Sequence, residues 1–206
     1  MTTTFTARRL DRGEALFWFL DRFSPMNFAV VAEGSGRLDE QALQEALAAA
    51  QRRHPLLTVA IEADAEHRLH FVPRPGQVLP SPRLAVADWR SELAERIVEP
   101  FVLGEAPLVR ACHVADGNRW AIALIFHHSI GDARSGFAVL TEVLQGVAGV
   151  AIVDTPLPAQ PPMSAVYPPE FTGDAGRQMV GQLKVMRRAA TKPSAPACRR
   201  RRRAIA

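Results

Sequence analysis

Cysteine is scarce in this chain, with Cys112 and Cys198 the two cysteines among 206 residues. Two cysteines cannot form the disulfide framework of a small secreted domain, and they do not have the spacing of a metal site. Cys112 falls within a strand-like apolar run, so we interpret it as a small buried side chain. The scarcity of cysteine fits a reducing compartment, and we expect a cytoplasmic protein.

Long apolar runs are also missing from the sequence. No stretch approaches the ~20 apolar residues that a membrane-spanning helix needs. The short run Phe17–Leu20 is flanked by Glu14, Asp21 and Arg22. Those charges favour one face of an amphipathic helix over the hydrophobic region of a signal peptide. The sequence therefore predicts no transmembrane segment and no secretory leader.

The positive charge of the chain is confined to its end. The formal net charge is +4, and five consecutive arginines occupy positions 199–203. Without them, 20 basic residues stand against 21 acidic residues, so the body is nearly neutral. A short terminal arginine run binds polyanions weakly and without sequence preference. We therefore expect no specific nucleic-acid partner, and polyanion binding by the tail stays a minor alternative.

Hydrophobic periodicity and turn residues divide most of the chain into alternating helices and strands. The order from residue 27 is βαββαββα, which favours an α+β fold with a mixed β-sheet flanked by helices in one lobe. The apolar stripe predicted for the last helix is Ala133, Phe137, Leu140 and Leu144, with Gly146 as its C-cap. The predicted helices span residues 11–23, 39–53, 88–98 and 132–145, and the predicted strands span 27–33, 57–62, 69–72, 108–114 and 120–128.

The character of the sequence changes beyond Gly149. Six prolines lie between positions 155 and 170, and they prevent regular structure there. We predict four segments: a folded lobe over 1–148, a proline-rich linker over 149–172, a helical segment over 173–190 and a disordered arginine-rich tail over 191–206.

The chemistry-bearing residues cluster where a fully apolar strand meets a helix. The strand ends in His127 and His128, and Gly131 and Asp132 follow before the helix begins. Side chains alternate along a strand, so the two histidines should lie on opposite faces. One imidazole would then act as a base, and the other would pack or donate hydrogen bonds.

Asp132 has three possible roles at this position. It can cap the helix, orient an imidazole, or pair with an arginine. Gly131 permits the tight turn between histidine and aspartate. A zinc site is a weaker interpretation, because adjacent strand histidines point apart and no third ligand lies nearby. A serine triad is weaker still, because the nucleophile motif G-x-S-x-G is absent.

The segment His127–Asp132 resembles the HHxxxD signature of the chloramphenicol-acetyltransferase-like superfamily. That superfamily includes peptide-synthetase condensation domains, polyketide-associated acyltransferases and alcohol O-acetyltransferases. Three further segments match in order: Leu38-Asp39 opening a helix, Arg53 to Leu57 at its end, and Pro107 to Arg110 entering a strand. The resemblance covers roughly residues 8–196. Ala133 stands where the family usually has glycine, a change that could alter the turn.

The resemblance implies an acyltransferase. His128 would be the general base that deprotonates an alcohol or amine acceptor, and His127 and Gly131 would support it. The acyl donor would be a thioester of coenzyme A or of a phosphopantetheinyl carrier protein, with no permanently bound cofactor and no metal. Asp132 would hold the loop through an arginine, with Arg110 as the first candidate and Arg53 as the second.

The resemblance also implies a second lobe. Monomeric family members have two halves with the histidine in a tunnel between them, and this chain matches the N-terminal half. We therefore expect a truncated or frame-shifted product. The alternative to an acyltransferase is a catalytically incomplete lobe that serves as a remnant or an interaction module. That alternative predicts an exposed apolar face and self-association.

Overall fold

A computed structural model of the chain describes residues 5–153, 155–158, 161–162 and 165. These residues belong to one compact unit that extends to Ala165. The helix predicted for residues 173–190 and the tail predicted for 191–206 lie outside the described residues. The same is true of most positions after 158 in the linker predicted for 149–172. Those three segments and the boundary at residue 148 stay predictions.

Four helices and six strands form the described part of the chain. A single turn of 3-10 helix, Pro55–Thr58, precedes the third strand. The strands are β1 (Arg8–Arg9), β2 (Asn27–Ser35), β3 (Val59–Ala63), β4 (Leu69–Pro73), β5 (Val109–Asp116) and β6 (Arg119–His127). The helices are α1 (Arg12–Leu20), α2 (Glu40–Arg53), α3 (Trp89–Val98) and α4 (Ala133–Val147).

The strands divide into two three-stranded sheets, with the orders β1-β4-β3 and β2-β6-β5. Every pairing between these named strands is antiparallel. An isolated parallel bridge joins Arg83 to His113 at the side of β5. The α+β class is confirmed, with the difference that the strands form two small antiparallel sheets rather than one continuous sheet.

Strand β6 lies at the centre of its sheet and is buried from Ala121 to His127. One face, which includes Ile122 and Leu124, packs into the main core together with residues of α2 and α4. The other face, which includes Ala123 and Ile125, packs with Leu93 of α3 in a second cluster. The predicted alternation along this strand is therefore confirmed, and burial on both faces explains its unbroken apolar sequence.

Helix α2 follows its sequence pattern closely. Asp39 caps it by accepting hydrogen bonds from the backbone of Gln41 at 2.9 Å and Ala42 at 3.1 Å. Leu43 and Leu47 are fully buried on its core face. A polar N-cap followed by an amphipathic stripe is sufficient to set both ends and the buried face of such a helix.

The stripe predicted for α4 is partly wrong. Phe137 is 55% exposed and Ala133 is exposed, whereas Gly136, Val139 and Val143 join Leu140 in the core. The physical reason is the close approach of the helix to the sheet at Gly136. A β-carbon there would lie 3.0 Å from the ring of Phe28. The C-cap is Ala148 rather than the predicted Gly146, so α4 ends at Val147, and Gly149 follows with a φ of +84°.

Two short elements were not predicted. Strand β1 has two residues, too few for any periodic signal, and pairs Arg8 with Phe71 of β4. The strand predicted to begin at Leu57 begins at Val59, because Pro55 starts a 3-10 turn with its fixed φ. Beyond α4, the backbone of Leu157 donates to the carbonyl of Arg53 at 2.8 Å, so the chain still contacts the lobe there.

Cys112 is buried, as its apolar surroundings in the sequence predict. Burial raises the pKa of its thiol to about 11. The thiolate is the nucleophilic form of cysteine, so this side chain is inert near neutral pH. Cys198 lies outside the described residues.

Candidate active site

The two histidines lie where β6 leaves the sheet. His127 is the last strand residue, and its backbone N–H donates to the carbonyl of Leu108 at 3.1 Å. His128 continues the sheet contact on the other side, because its N–H donates to the carbonyl of Met26 at 2.9 Å. The backbone is thus held by both neighbouring chain segments up to His128, which fixes the direction of each imidazole.

His127 is completely buried among aromatic rings. Its ring centroid lies 5.1 Å from that of Trp18 and 5.9 Å from that of Phe101. Its Nδ1 accepts a hydrogen bond from the backbone N–H of Ser129 at 3.1 Å, so the neutral ring carries its proton on Nε2. Burial, with the neighbouring His128 as a smaller cause, lowers the pKa of His127 to about 4, and Asp21 opposes the shift. His127 is therefore neutral near pH 7.

His128 has a different environment from His127. It is half-buried, and its ring stacks on Phe17 with centroids 4.4 Å apart and planes inclined by 9°. Phe28 covers another side of the ring at 5.0 Å with a tilt of 54°. Nδ1 is buried and has no hydrogen-bond partner among the described residues, so Nε2 is the nitrogen open to a reactant. The geometry therefore separates the two histidines, as their alternation predicts.

Asp132 is the N-cap of α4. Its Oδ1 accepts hydrogen bonds from the backbone N–H of Ser135 at 2.9 Å and from the Ser135 hydroxyl at 2.8 Å. These two bonds lower the pKa of the Asp132 carboxyl, with weaker contributions from its own backbone and from His128. Gly131 precedes the cap, and a β-carbon there would lie 3.3 Å from the side chain of Ser135. Of the three roles open to Asp132, the structure shows capping.

The two arginines predicted as partners of Asp132 contact other groups in the structure. Arg110 donates to the carbonyls of Glu99 and Pro100, both at 2.8 Å, and its guanidinium lies 3.9 Å from the ring centroid of Phe101. Arg110 lies on β5, and its guanidinium binds the chain segment that follows α3.

Arg53 is engaged at the other end of the lobe. It pairs with Glu142 of α4 at 3.2 Å, and Nε2 of His54 is hydrogen-bonded to the same carboxylate at 2.8 Å. Glu142 lies two to three turns along α4 from Asp132. Its carboxylate is the one that contacts Arg53 and His54 at the end of α2. Sequence spacing did not reveal this choice, because it depends on how α2 and α4 pack.

Helix α1 is the part of the site that the sequence did not reveal. Besides the ring contacts of Phe17 and Trp18, the carbonyl of Glu14 accepts a hydrogen bond from the Ser129 hydroxyl at 2.8 Å. The Glu14 carboxylate is buried and receives two hydrogen bonds from Arg8, at 2.7 and 2.8 Å. The sequence contains an Asp-x-x-Glu capping box before an aromatic run, which predicts the start of α1. That pattern does not indicate that α1 contacts the distant histidine motif.

No group of three or more histidine, cysteine or acidic side chains that could hold a metal ion occurs within the part of the chain that the structure describes. Among the same residues, no helix is long and apolar enough to cross a membrane.

Several solved structures share this architecture. The chain superposes on the tallysomycin biosynthesis protein TlmII with a TM-score of 0.68 and 22% identity, over 90% of this chain and 48% of that one. It superposes on a mutant starter condensation domain of rhizomide synthetase, in complex with C8-CoA and Leu-SNAC, with a TM-score of 0.64 and 15% identity. That match covers 97% of this chain and 48% of the other. The chain therefore has the fold of these solved chains, one of which is a starter condensation domain.

The same relationship is visible in sequence. The chain is 28% identical over 141 residues to a polypeptide of the plipastatin synthase of Bacillus subtilis (strain 168). That alignment includes 68% of this chain and 5% of the synthase polypeptide, and no family model matches. The chain spans about half of the two solved chains and a small part of the synthase, which fits the N-terminal half of a condensation domain.

In this condensation fold, replacing Asp132 tests its capping role. We expect Asp132→Ala to lower the free energy of unfolding by about 1 kcal/mol, because the first turn of α4 loses its acceptor. Asp132→Ser keeps a capping oxygen and should retain most of that stability. Urea unfolding of both variants measures the difference. A serine variant as unstable as the alanine variant would contradict the assignment.

Proposed function

We propose that the chain supplies the catalytic base of a condensation-type acyl transfer, with His128 as that base. The observation that carries the proposal is the contrast between the two histidines. His127 is sealed among aromatic rings, while His128 presents Nε2 at the edge of the fold. A general base must reach the proton that it removes, and His128 satisfies that requirement.

The reaction needs no covalent enzyme intermediate. Nε2 of His128 takes the proton from the hydroxyl or amine of the acceptor. The acceptor oxygen or nitrogen forms a bond to the thioester carbonyl carbon, and the carbon–sulfur bond breaks. The sulfur leaves as a thiol after receiving the proton that His128 holds. The buried Cys112 has no part in this scheme, because its thiol is protonated near neutral pH.

The proposed donor is an acyl thioester of coenzyme A or of a phosphopantetheinyl carrier protein, and the proposed acceptor is an alcohol or an amine. Support comes from the rhizomide synthetase domain, whose structure contains C8-CoA and Leu-SNAC. Further support comes from the similarity to a plipastatin synthase polypeptide, together with the carrier-bound donor that the family resemblance implies. The thioester is a substrate here, and the proposal includes no resident cofactor.

A second candidate is a lobe that functions as an interaction module and does not turn over alone. The exposed apolar side chains of α1 and of the segment after it favour this candidate, since Leu16, Leu20 and Phe23 are 54%, 39% and 87% exposed. Exposed apolar patches mark interaction surfaces, and α1 also contacts both histidines. The two candidates differ in whether the purified chain alone turns over.

Incubation of the purified chain with octanoyl-CoA and a panel of amines and alcohols separates the two candidates. We expect acylated product and free coenzyme A in equal amounts, measured by mass spectrometry, with no acyl group retained on the protein. Size-exclusion chromatography of the same sample reports self-association. Absence of product from a folded, self-associating chain would favour the interaction module and contradict independent catalysis.

A further inference from the structure

The imidazole of His128 has no polar group to orient it among the described residues. Its Nδ1 is buried there without a hydrogen-bond partner, and Oδ1 of Asp132 accepts its hydrogen bonds from Ser135 rather than from the imidazole. A base must nevertheless be held in one orientation, because small misplacement of a reacting group is costly. Some other contact must therefore fix the direction of Nε2.

Two phenylalanine rings pack against the imidazole of His128. Phe17 lies parallel to the His128 ring at 4.4 Å, a distance and inclination typical of stacked aromatic rings. Phe28 meets the same ring at 5.0 Å and stacks on Phe126 at 5.4 Å. Phe28 belongs to β2 and Phe17 to α1, so a strand and a helix each provide one ring.

Helix α1 is held firmly enough to place Phe17. The Ser129 hydroxyl, which follows directly after His128, donates to the carbonyl of Glu14 at 2.8 Å. The Glu14 carboxylate accepts two hydrogen bonds from Arg8 and one from the backbone of Asp11 at 2.8 Å. The Ser129 hydroxyl therefore joins the motif to α1, and Arg8 and Asp11 hold the Glu14 side chain in place.

We propose that Phe17 is a positioning residue for His128, holding by ring stacking the imidazole orientation that an aspartate would otherwise set. This inference deepens the function proposed above and rests on it for its kinetic consequence. The structural part stands by itself, because it concerns the ring of His128 whether or not the chain turns over.

The test compares Phe17→Leu with two reference variants. Phe17→Leu keeps an apolar side chain and removes the ring, so we expect kcat to fall about tenfold with KM for the donor unchanged. Phe17→Tyr restores a ring and should restore kcat. Phe19→Leu is the matched control, because Phe19 lies on the same helix, is 50% exposed and has no ring contact with either histidine among the described residues.

A spectroscopic measurement gives a second, independent result. In protein labelled with ¹³C-histidine, the ring-proton resonance of His128 is identified by its loss in His128→Ala. Stacking on Phe17 shifts that resonance upfield, so Phe17→Leu should move it downfield and Phe19→Leu should not. Phe17→Met replaces the leucine variant if that variant does not fold.

The outcomes separate the two proposals. An unmoved His128 resonance in Phe17→Leu would overturn the positioning role, while the function of His128 would stand on its own kinetics. A downfield shift together with equal rates for wild type and His128→Ala would support the stack and overturn the function. A fall in kcat in Phe19→Leu as large as that in Phe17→Leu would also overturn the positioning role.

Discussion

Replacement of His128 by alanine is expected to lower the rate of acyl transfer by about 10²- to 10⁴-fold, the usual contribution of a positioned general base. The reason is that Nε2 of His128 is the open imidazole nitrogen of the motif, whereas His127 is buried and engaged at Nδ1. The measurement is formation of free coenzyme A from octanoyl-CoA at saturating acceptor. Because His128 is half-buried, thermal unfolding of the variant must be recorded alongside its rate.

His67 provides the matched control for this experiment. It is exposed on the turn between β3 and β4 and has a φ of 59°, so asparagine is the suitable substitute there. His67→Asn should keep the wild-type rate. Equal rates for wild type and His128→Ala would contradict the assignment of the base, whatever the stability of the variants.

The elements of this fold were predictable because their signals are local. Asp39 before the apolar stripe of α2 sets that helix, and Gly117, with a φ of 55°, marks the hairpin between β5 and β6. The fully apolar sequence of β6 predicts a central strand, since both of its faces meet side chains. These signals require no knowledge of distant contacts.

The packing of α4 and the arginine contacts were not predictable in the same way. Gly136 adds nothing to a hydrophobic pattern, yet its missing β-carbon lets α4 approach Phe28 and Val30 of β2. Arg110 has neighbouring backbone carbonyls and the face of Phe101 within reach, and these contacts replace the predicted pairing with Asp132. Each choice depends on which groups the folded chain brings together, and sequence spacing does not encode that.

The candidate site was predictable in its order and not in its surroundings. Alternation along β6 correctly separates His127 from His128 in space. The contribution of α1 depends on contacts across more than one hundred positions, such as that of Ser129 with Glu14. From the sequence alone, Phe17 and Trp18 therefore resemble residues of an ordinary amphipathic helix.

The burial of His127 predicts that the protein loses stability on mild acidification. Its pKa is about 4 in the folded protein, against 6.5 for an unperturbed histidine. Between these values the unfolded chain binds a proton that the folded protein does not. The contribution of neutral His127 to the free energy of unfolding is therefore complete above pH 6.5 and is lost as pH falls towards 4. We expect the free energy of unfolding to fall by about 2 kcal/mol between about pH 7 and pH 5. Urea unfolding at both pH values measures it.

His127→Gln isolates this effect from the other histidines. Glutamine keeps an acceptor for the backbone N–H of Ser129 and has no proton to gain in this range. The variant should be less stable than wild type at pH 7. Its free energy of unfolding should fall by about 2 kcal/mol less than that of wild type between the two pH values. Any contribution from the remaining histidines cancels in the comparison. An identical fall for both proteins would place the acid sensitivity elsewhere. It would also mean that His127 accepts a proton in the folded state, and the contrast that assigns catalysis to His128 would lose its basis.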